Sequence, residues 1–290
     1  MGPVTMNPAR SVSPPAKRAA HAISVTAGRI TSRARMLPGF LIAGAQRCGT
    51  TSMYRALSEH PCVRKAVLHK GVHYFDMNYD HSLSWYRAHF PLRTRGQAAV
   101  TFESSPYYMF HPLAGQRIAA DLPGTKLLVL LRDPVERAYS AYAHELARGF
   151  ETETFERAIE LETRRLDGEA ERMAAEPGYL SHSHQHQAYV TRGQYIEQLN
   201  RLEHLFGRDR IHVVDSGDFF AKPEPVYDAV LGFLGLPQAE YPPFERHNAR
   251  PRSPIDPALR ERLDTHFAPF DEQLSAAGWL GDSGLPSWRK

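Results

Sequence analysis

The sequence predicts a three-layer α/β fold, a central parallel sheet flanked by helices, and three observations lead there. Runs at 40–43, 126–131 and 211–214 are apolar at consecutive positions but for Lys126 and His212, as suits strands buried on both faces. Amphipathic stretches of helical period stand between them. Strand and helix therefore alternate, which calls for parallel pairing with helical crossovers on both faces. Right-handed crossovers then put a ligand site at the carboxyl ends of the strands.

Taken in order, residues 1–36 read as a basic tail of Pro, Ser, Ala and Arg without periodicity, expected to be disordered, ahead of one domain over 37–290. A strand at 40–43 leads into a helix at 50–58, and a second strand is expected at 98–102. A helix at 112–121 precedes the strand KLLVLL at 126–131. Asp133 then caps a helix with Pro134 at its first position, running to about Arg148. A charged surface helix is expected at 155–173 and an amphipathic one at 194–206. The strand at 211–214 is followed by helices at 225–234 and 256–276.

With 42% hydrophobic and 23% charged residues, the 290-residue chain has the balance of a soluble globular protein with a sizeable core. No apolar run approaches the roughly 18 residues of a membrane-spanning helix, and the N-terminus lacks the apolar core of a signal peptide. Two cysteines, Cys48 and Cys62, make no disulfide framework, so a cytoplasmic location is expected. Net charge is only +3, yet residues 1–58 contain no Asp or Glu, and Arg outnumbers Lys 29 to 6. The planar guanidinium fork suits phosphate and sulfate oxygens, so an anionic ligand is expected where those arginines face one site. No nucleic-acid partner is expected, because the tail's charges are sparse.

Residues 40–52, FLIAGAQRCGTTS, join the first strand to the first helix through Gly44, four residues and Gly49. The spacing is nearly that of the phosphate loop of nucleotide hydrolases, G-x-x-x-x-G-K-[ST], with Thr50 in the lysine's place. Such a corner aims backbone N–H groups and a helix dipole at an anion, and Thr50, Thr51 and Ser52 add hydroxyls. A hydrolase also needs the lysine and an acidic, metal-holding strand end. Here the strand LLVLLRDP ends in Arg132, so a P-loop-like fold that holds phosphate without a metal is expected.

Two further segments carry chemistry. LLVLLRDPVERAYSAY, residues 127–142, offers Arg132, Arg137 and Ser140 to a second phosphate. LHKGVHYFDMNYDHSLSWYRAHFP, residues 68–91, sets Lys70 and His73 on one short stretch beside aromatics. His182, His184 and His186 alternate in what is expected to be a polar loop, with no carboxylate or thiol nearby in sequence to complete a metal site.

Together these segments resemble the sulfotransferases that use 3′-phosphoadenosine 5′-phosphosulfate (PAPS), in particular the bacterial and heparan-sulfate type, over roughly residues 38–280. The resemblance implies that Gln46, Arg47, Cys48, Gly49, Thr50, Thr51 and Ser52 form the 5′-phosphosulfate loop, and that Arg132 and Ser140 hold the 3′-phosphate. Further matches are Glu103-Ser104-Ser105-Pro106-Tyr107, Arg192-Gly193-Gln194-Tyr195 and Phe233-Leu234-Gly235, with Tyr195 placed among the cofactor-binding residues. Arg250 and Arg252, in Asn248-Ala249-Arg250-x-Arg252, stand in the position of the family's basic loop that closes over the cofactor. The activity implied is sulfuryl transfer from PAPS, leaving 3′-phosphoadenosine 5′-phosphate (PAP), to a hydroxyl or amine of a small-molecule, glycan or glycolipid acceptor.

Two departures from the family stand out. Arg47 occupies a loop position where the family commonly has Lys; the charge is kept, but guanidinium does not readily donate a proton. The family's Lys-Glu-x-His-Phe-Phe, whose glutamate is the general base, reads here Lys70-Gly71-Val72-His73-Tyr74-Phe75. His73 is then the first candidate base, followed by His69 and Glu103, with Arg47 and Lys70 stabilising charge on the leaving oxygen. Without its glutamate the chain also fits a PAP- or PAPS-binding pseudoenzyme. A P-loop small-molecule kinase fits less well, since the lysine and the acidic metal ligand are both absent.

Overall fold

The computed structural model describes residues 26, 28–67, 69–94, 99–247, 254–280 and 285–289. Five strands, β1 (Phe40–Gly44), β2 (Val63–Lys65), β3 (Val100–Ser104), β4 (Lys126–Leu131) and β5 (Ile211–Asp215), form one parallel sheet in the order β2-β3-β1-β4-β5. The predicted α/β architecture with its flanking helices is the one observed. Strands β1 and β4 are the apolar runs of the sequence, and they lie side by side at the sheet's centre, buried on both faces. Chain direction across the sheet reverses there, because β1 has β3 on one side and β4 on the other. The crevice outside their carboxyl ends is the topological switch point, where open α/β sheets bind ligands.

The helices that frame this crevice start where capping chemistry dictates. Helix α1 (Thr50–Ser58) follows β1 directly. Between β2 and β3 lie the short α2 (Tyr74–Met77) and α3 (Leu83–Arg87), and α4 (Ala114–Asp121) follows β3. Helix α5 (Pro134–Arg148) begins at Asp133, whose carboxylate accepts from the N–H groups of Val135 and Glu136, with Pro134 at the first turn. Then come α6 (Phe155–Leu166), α7 (Glu169–Ala175), α8 (His182–His186) and α9 (Tyr195–Phe206). After β5 the chain adds α10 (Ser216–Ala221), α11 (Pro223–Leu234) and α12 (Pro257–Ala276).

Several expectations change. The helix expected at 155–173 is two helices, broken at Gly168, whose φ of 70° a right-handed helix cannot contain. The histidine stretch expected as a loop is α8, capped by the Ser181 hydroxyl. β2, α2, α3 and α10 were not anticipated, being too short to show a period. Residues 28–36, assigned by composition to the tail, instead lie against the body. Arg35 pairs with Leu92 in an isolated bridge, and its guanidinium donates to the carbonyls of Ala88 (3.3 Å) and Phe90 (2.6 Å).

One buried carboxylate holds the approach to α9. Glu162 of α6 accepts from the N–H groups of Tyr189 (2.8 Å), Val190 (2.7 Å) and Thr191 (2.8 Å), just before Arg192. Glu162→Ala strands three backbone donors, and is expected to cost about 2–4 kcal/mol in urea unfolding. A loss below about 1 kcal/mol would show that other contacts hold this turn.

Candidate active site

The turn between β1 and α1 carries two residues in the left-handed region, Arg47 (φ 72°) and Gly49 (φ 82°). A residue with a Cβ adopts that conformation where its surroundings enforce it, and functional loops are a common setting. The surroundings here are specific. Arg47 Nε donates to Ser140 Oγ of α5 (3.1 Å), and Arg192 Nη1 donates to the side-chain oxygen of Gln46. Ser216 Oγ donates to the Cys48 carbonyl (2.5 Å), and Cys48 Sγ lies 3.6 Å from the Tyr195 hydroxyl.

Over this turn lies a cleft of about 490 Å³. It is lined by residues 46–51 of the loop together with Lys70, Arg132 and Ser140, so three distant segments singled out in the sequence meet in one place. Ser52, Tyr195, His69 and His73 do not line it. Ser52 Oγ instead accepts from the His247 N–H (3.1 Å), and His247 itself lines the cleft. Tyr195 is buried and donates to the Arg132 carbonyl (2.8 Å), so it holds the end of β4 from behind. Arg250 and Arg252 lie outside the described residues.

Arg137, offered to a phosphate by the sequence, is fully buried and donates to the Tyr189 carbonyl. Ser140 and His144, four apart, line the cleft, whereas Arg137, a turn earlier on the same side of α5, is covered by the chain at Tyr189 and spends its guanidinium there. Its Nε and Nη1 have no hydrogen-bond partner among the described residues. Arg192 is likewise buried, with the rings of Tyr107 (5.1 Å) and Phe110 (4.7 Å) near its guanidinium, and burial lowers its pKa to about 10. In the cleft, Lys70 Nζ donates to Thr51 Oγ1 (2.9 Å) and Thr50 Oγ1 (3.3 Å). Burial first, and then the Arg47 charge, bring its pKa down to about 8. Arg132 pairs with Glu136 at 3.2 Å, a half-exposed and therefore weak pair that an anion can compete for. Positive charge thus gathers at the loop and behind it, at a helix N-terminus, as an anion site requires.

Of residues 70–76, Lys70 alone lines this cleft. His73 has φ 53°, its N–H donates to Ser105 Oγ (3.1 Å), and its Nδ1 lies 2.8 Å from Asp76 Oδ2. The imidazole is 40% exposed while the Asp76 carboxylate is fully buried. Burial alone would lower the imidazole pKa, but the hydrogen bond and charge of Asp76, helped by Glu103, raise it. Nε2 has no partner among the described residues.

Glu103 is not available as a base. Fully buried, it accepts from Val72 N–H (2.6 Å), Ser105 Oγ (2.7 Å), Tyr86 Oη (2.9 Å) and Tyr108 Oη (2.8 Å). Burial raises its pKa, partly offset by these bonds. Nor can the family's glutamate be restored next door. A Cβ at Gly71 would stand 2.5 Å from the Ser104 carbonyl oxygen and 2.8 Å from Ser105 Oγ, so the end of β3 bars a side chain.

The three histidines of α8 are used by the fold. His184 Nδ1 lies 2.7 Å from the Tyr107 hydroxyl and its ring stacks on Phe110, while His186 pairs with Glu145 (3.1 Å). Among the described residues no three metal-binding side chains cluster. Sequence reasoning missed His144, Phe220, Arg246, Ser287 and Trp288, which also line the cleft. The i,i+4 spacing from Ser140 would have found His144; nothing local points to the others.

Because Lys70 carries its charge only below about pH 8, affinity for pyrophosphate is expected to fall as pH rises through that value. Calorimetry on the wild type and Lys70→Met checks this: the variant binds more weakly throughout and loses that inflection. An unchanged inflection in the variant would assign it to another group.

The chain matches the family model described as the sulfotransferase domain over residues 37–247. It is 24% identical over 305 residues to the membrane-associated sulfotransferase kil1 of Dictyostelium discoideum, covering 82% of this chain and 64% of that protein. It is 38% identical over 125 residues to human heparan sulfate glucosamine 3-O-sulfotransferase 3B1, covering 43% of this chain and 31% of that protein. The matches therefore span less than two thirds of the length of either relative. Among solved structures, a sulfotransferase from Alicyclobacillus acidocaldarius aligns with a TM-score of 0.71 at 28% identity, over 88% of this chain and 100% of its own. With most of its length matched by the family model and the fold shared with this bacterial structure, the chain belongs to the sulfotransferase domain family.

Proposed function

We propose that this chain transfers a sulfuryl group from PAPS to a hydroxyl or amine of a small-molecule, glycan or glycolipid acceptor, with residues 37–290 as the catalytic unit. The observation that carries the reading is the cleft at the switch point, where Arg47, Lys70 and the loop hydroxyls meet Arg132 and Ser140. These residues fit a ligand with anionic groups at two places, and the volume is of the size that takes a nucleotide. The relatives' names support sulfuryl transfer and leave the acceptor open. Two free cysteines suit a cytoplasmic location, and among the described residues no helix is long and apolar enough to cross a membrane.

When bound, PAPS supplies the sulfuryl group, which passes to the acceptor as its bond to the phosphate oxygen breaks and PAP leaves. The protein's part is positioning and electrostatics. In this reading the N-terminus of α1, Thr50, Thr51, Arg47 and Lys70 hold the phosphosulfate and stabilise charge on the leaving oxygen. Arg132 and Ser140 hold the 3′-phosphate. His73 accepts the acceptor's proton at Nε2, because Asp76 takes Nδ1–H and so selects the tautomer with Nε2 basic. Asp76 is a positioning residue here. The barred side chain at Gly71 favours this histidine–aspartate pair over a glutamate base, and it also keeps the pseudoenzyme reading as the rival: such a protein would bind PAP but never consume PAPS.

PAP is expected to raise the melting temperature by mass action, and ATP, which lacks a 3′-phosphate, far less. Arg132→Ala should weaken PAP binding by about 1.5–3 kcal/mol. Equal shifts from ATP and PAP would remove the 3′-phosphate assignment. Turnover should survive EDTA, whereas strict magnesium dependence would favour a kinase.

His73→Ala is expected to lower turnover about 10²–10⁴-fold with PAP affinity nearly unchanged. A base works in its neutral form, so the wild-type rate should climb with pH through a value above the ordinary imidazole pKa of about 6.5, since Asp76 raises it. Asp76→Asn should move that inflection down. Near-full activity in His73→Ala with an unchanged profile would take His73 out of the mechanism.

A further inference from the structure

Residues 285–289 lie well beyond the matched domain, yet they return to the cleft: Ser287 and Trp288 line it, beside Phe220 and Arg246. Two buried carboxylates fasten this segment. Asp215, at the end of β5, accepts from Ser287 N–H and Ser287 Oγ, each at 2.7 Å, while also accepting from the Gly217 N–H (2.7 Å) at the start of α10. Asp271 of α12 accepts from Trp288 Nε1 (3.1 Å) and Arg289 Nε (2.7 Å), and Arg289 Nη2 reaches the Asp264 carbonyl (3.2 Å). The seat is shaped for its occupant, because a Cβ at Gly217 would overlap the Ser287 side chain.

The indole has one polar hydrogen, and Asp271 takes it. What Trp288 adds to the cleft is therefore aromatic surface. Its ring meets that of Tyr195 edge-on at 6.4 Å, and Tyr195 holds the Arg132 carbonyl, so the indole stands behind the same strand end that presents Arg132. Phe220 stands at the loop, within 3.2 Å of where a Gly49 Cβ would be, and the Arg246 guanidinium covers its ring at 4.6 Å. The cleft thus joins a cationic part, suited to anions, to an aromatic part that no anion needs.

We propose that the 285–289 segment is a clasped wall of the donor cleft, and that Trp288 binds the planar base of the nucleotide, so that this cleft favours a nucleotide over a bare polyanion. The proposal rests on the donor reading above. Planar bases stack on aromatic side chains, and losing one such contact typically weakens binding about 5- to 150-fold. Asp215 and Asp271 act through Trp288 as positioning residues.

Calorimetry on the full chain with two probes, PAP and pyrophosphate, tests this. Trp288→Ala is expected to weaken PAP at least about 5-fold and to leave pyrophosphate within about 2-fold. Asp271→Asn should weaken PAP in the same direction, again sparing pyrophosphate. Trp288→Phe keeps a ring and a folded chain; it should retain most PAP affinity while losing the part of the PAP-induced fluorescence change that Trp288, one of three tryptophans, reports. Loss of both probes alike in Trp288→Ala, no loss of either, or a full fluorescence change in Trp288→Phe would each overturn the proposal. A wild type that binds pyrophosphate as well as PAP would bring down the donor reading itself, a result separate from any variant's behaviour.

Discussion

Burying the Glu103 carboxylate at the end of β3 obliges the chain around it to supply hydrogen-bond donors, and residues 70–76 are folded around that demand. Val72 brings a backbone N–H, Ser105, Tyr86 and Tyr108 bring hydroxyls, and no oxygen of the carboxylate is left over. Tyr108 Oη also accepts from the Tyr74 N–H (2.9 Å), and Ser105 Oγ from the His73 N–H, so α2 is anchored at its first turn. A half-satisfied buried network would be worse than an apolar core, which is why so many side chains are committed to it. The consequence reaches the site. With Val72 pinned to Glu103 and the β3 end pressed against Gly71, Lys70 falls at the loop hydroxyls and His73 beside Asp76.

The loop between β1 and α1 depends on a second constraint, buried positive charge. Arg137 and Arg192 sit behind it with carbonyls, a side-chain amide and aromatic faces as partners, and neither meets a carboxylate within salt-bridge distance among the described residues. Uncompensated charge in a low-dielectric interior is expensive, and an anion placed at the loop relieves it. Arg137, Tyr195, Arg132 and Arg47 pull the Cys48 thiol pKa down while burial, the larger effect, raises it. Here burial wins, which makes the thiol a packing group and not a nucleophile.

Much of the fold was legible because its signals are local. Helix α1 and strand β4 fall where the apolar pattern puts them, and Asp133-Pro134 marks the start of α5 within the residues themselves. The loop and the Arg132–Ser140 pair were legible too, since a strand, a turn and a helix N-terminus have fixed spacings. Where local reading failed, the reasons are physical. Arg137 looks like a ligand residue by proximity to Arg132, but the chain at Tyr189, 52 positions on, packs over it and takes its guanidinium. Tyr195 belongs to a matching segment yet serves the backbone of β4. Glu103 has the right chemistry and the wrong accessibility.

From its sequence alone this protein is determined to be a parallel α/β chain with a glycine-rich strand–turn–helix corner, lacking the lysine and the acid of a nucleotide hydrolase. Those properties follow from residues a few positions apart, whose periodicity and capping act over one strand or one turn. Tertiary structure alone decided that His73 is paired with Asp76 and raised in pKa, and that Gly71 admits no side chain. It likewise decided that Ser287 and Trp288 line the cleft. Ser287 meets Asp215 across 72 positions and Arg192 meets Gln46 across 146. Contacts at such separations are set by how whole layers pack, and no local pattern in the chain encodes them.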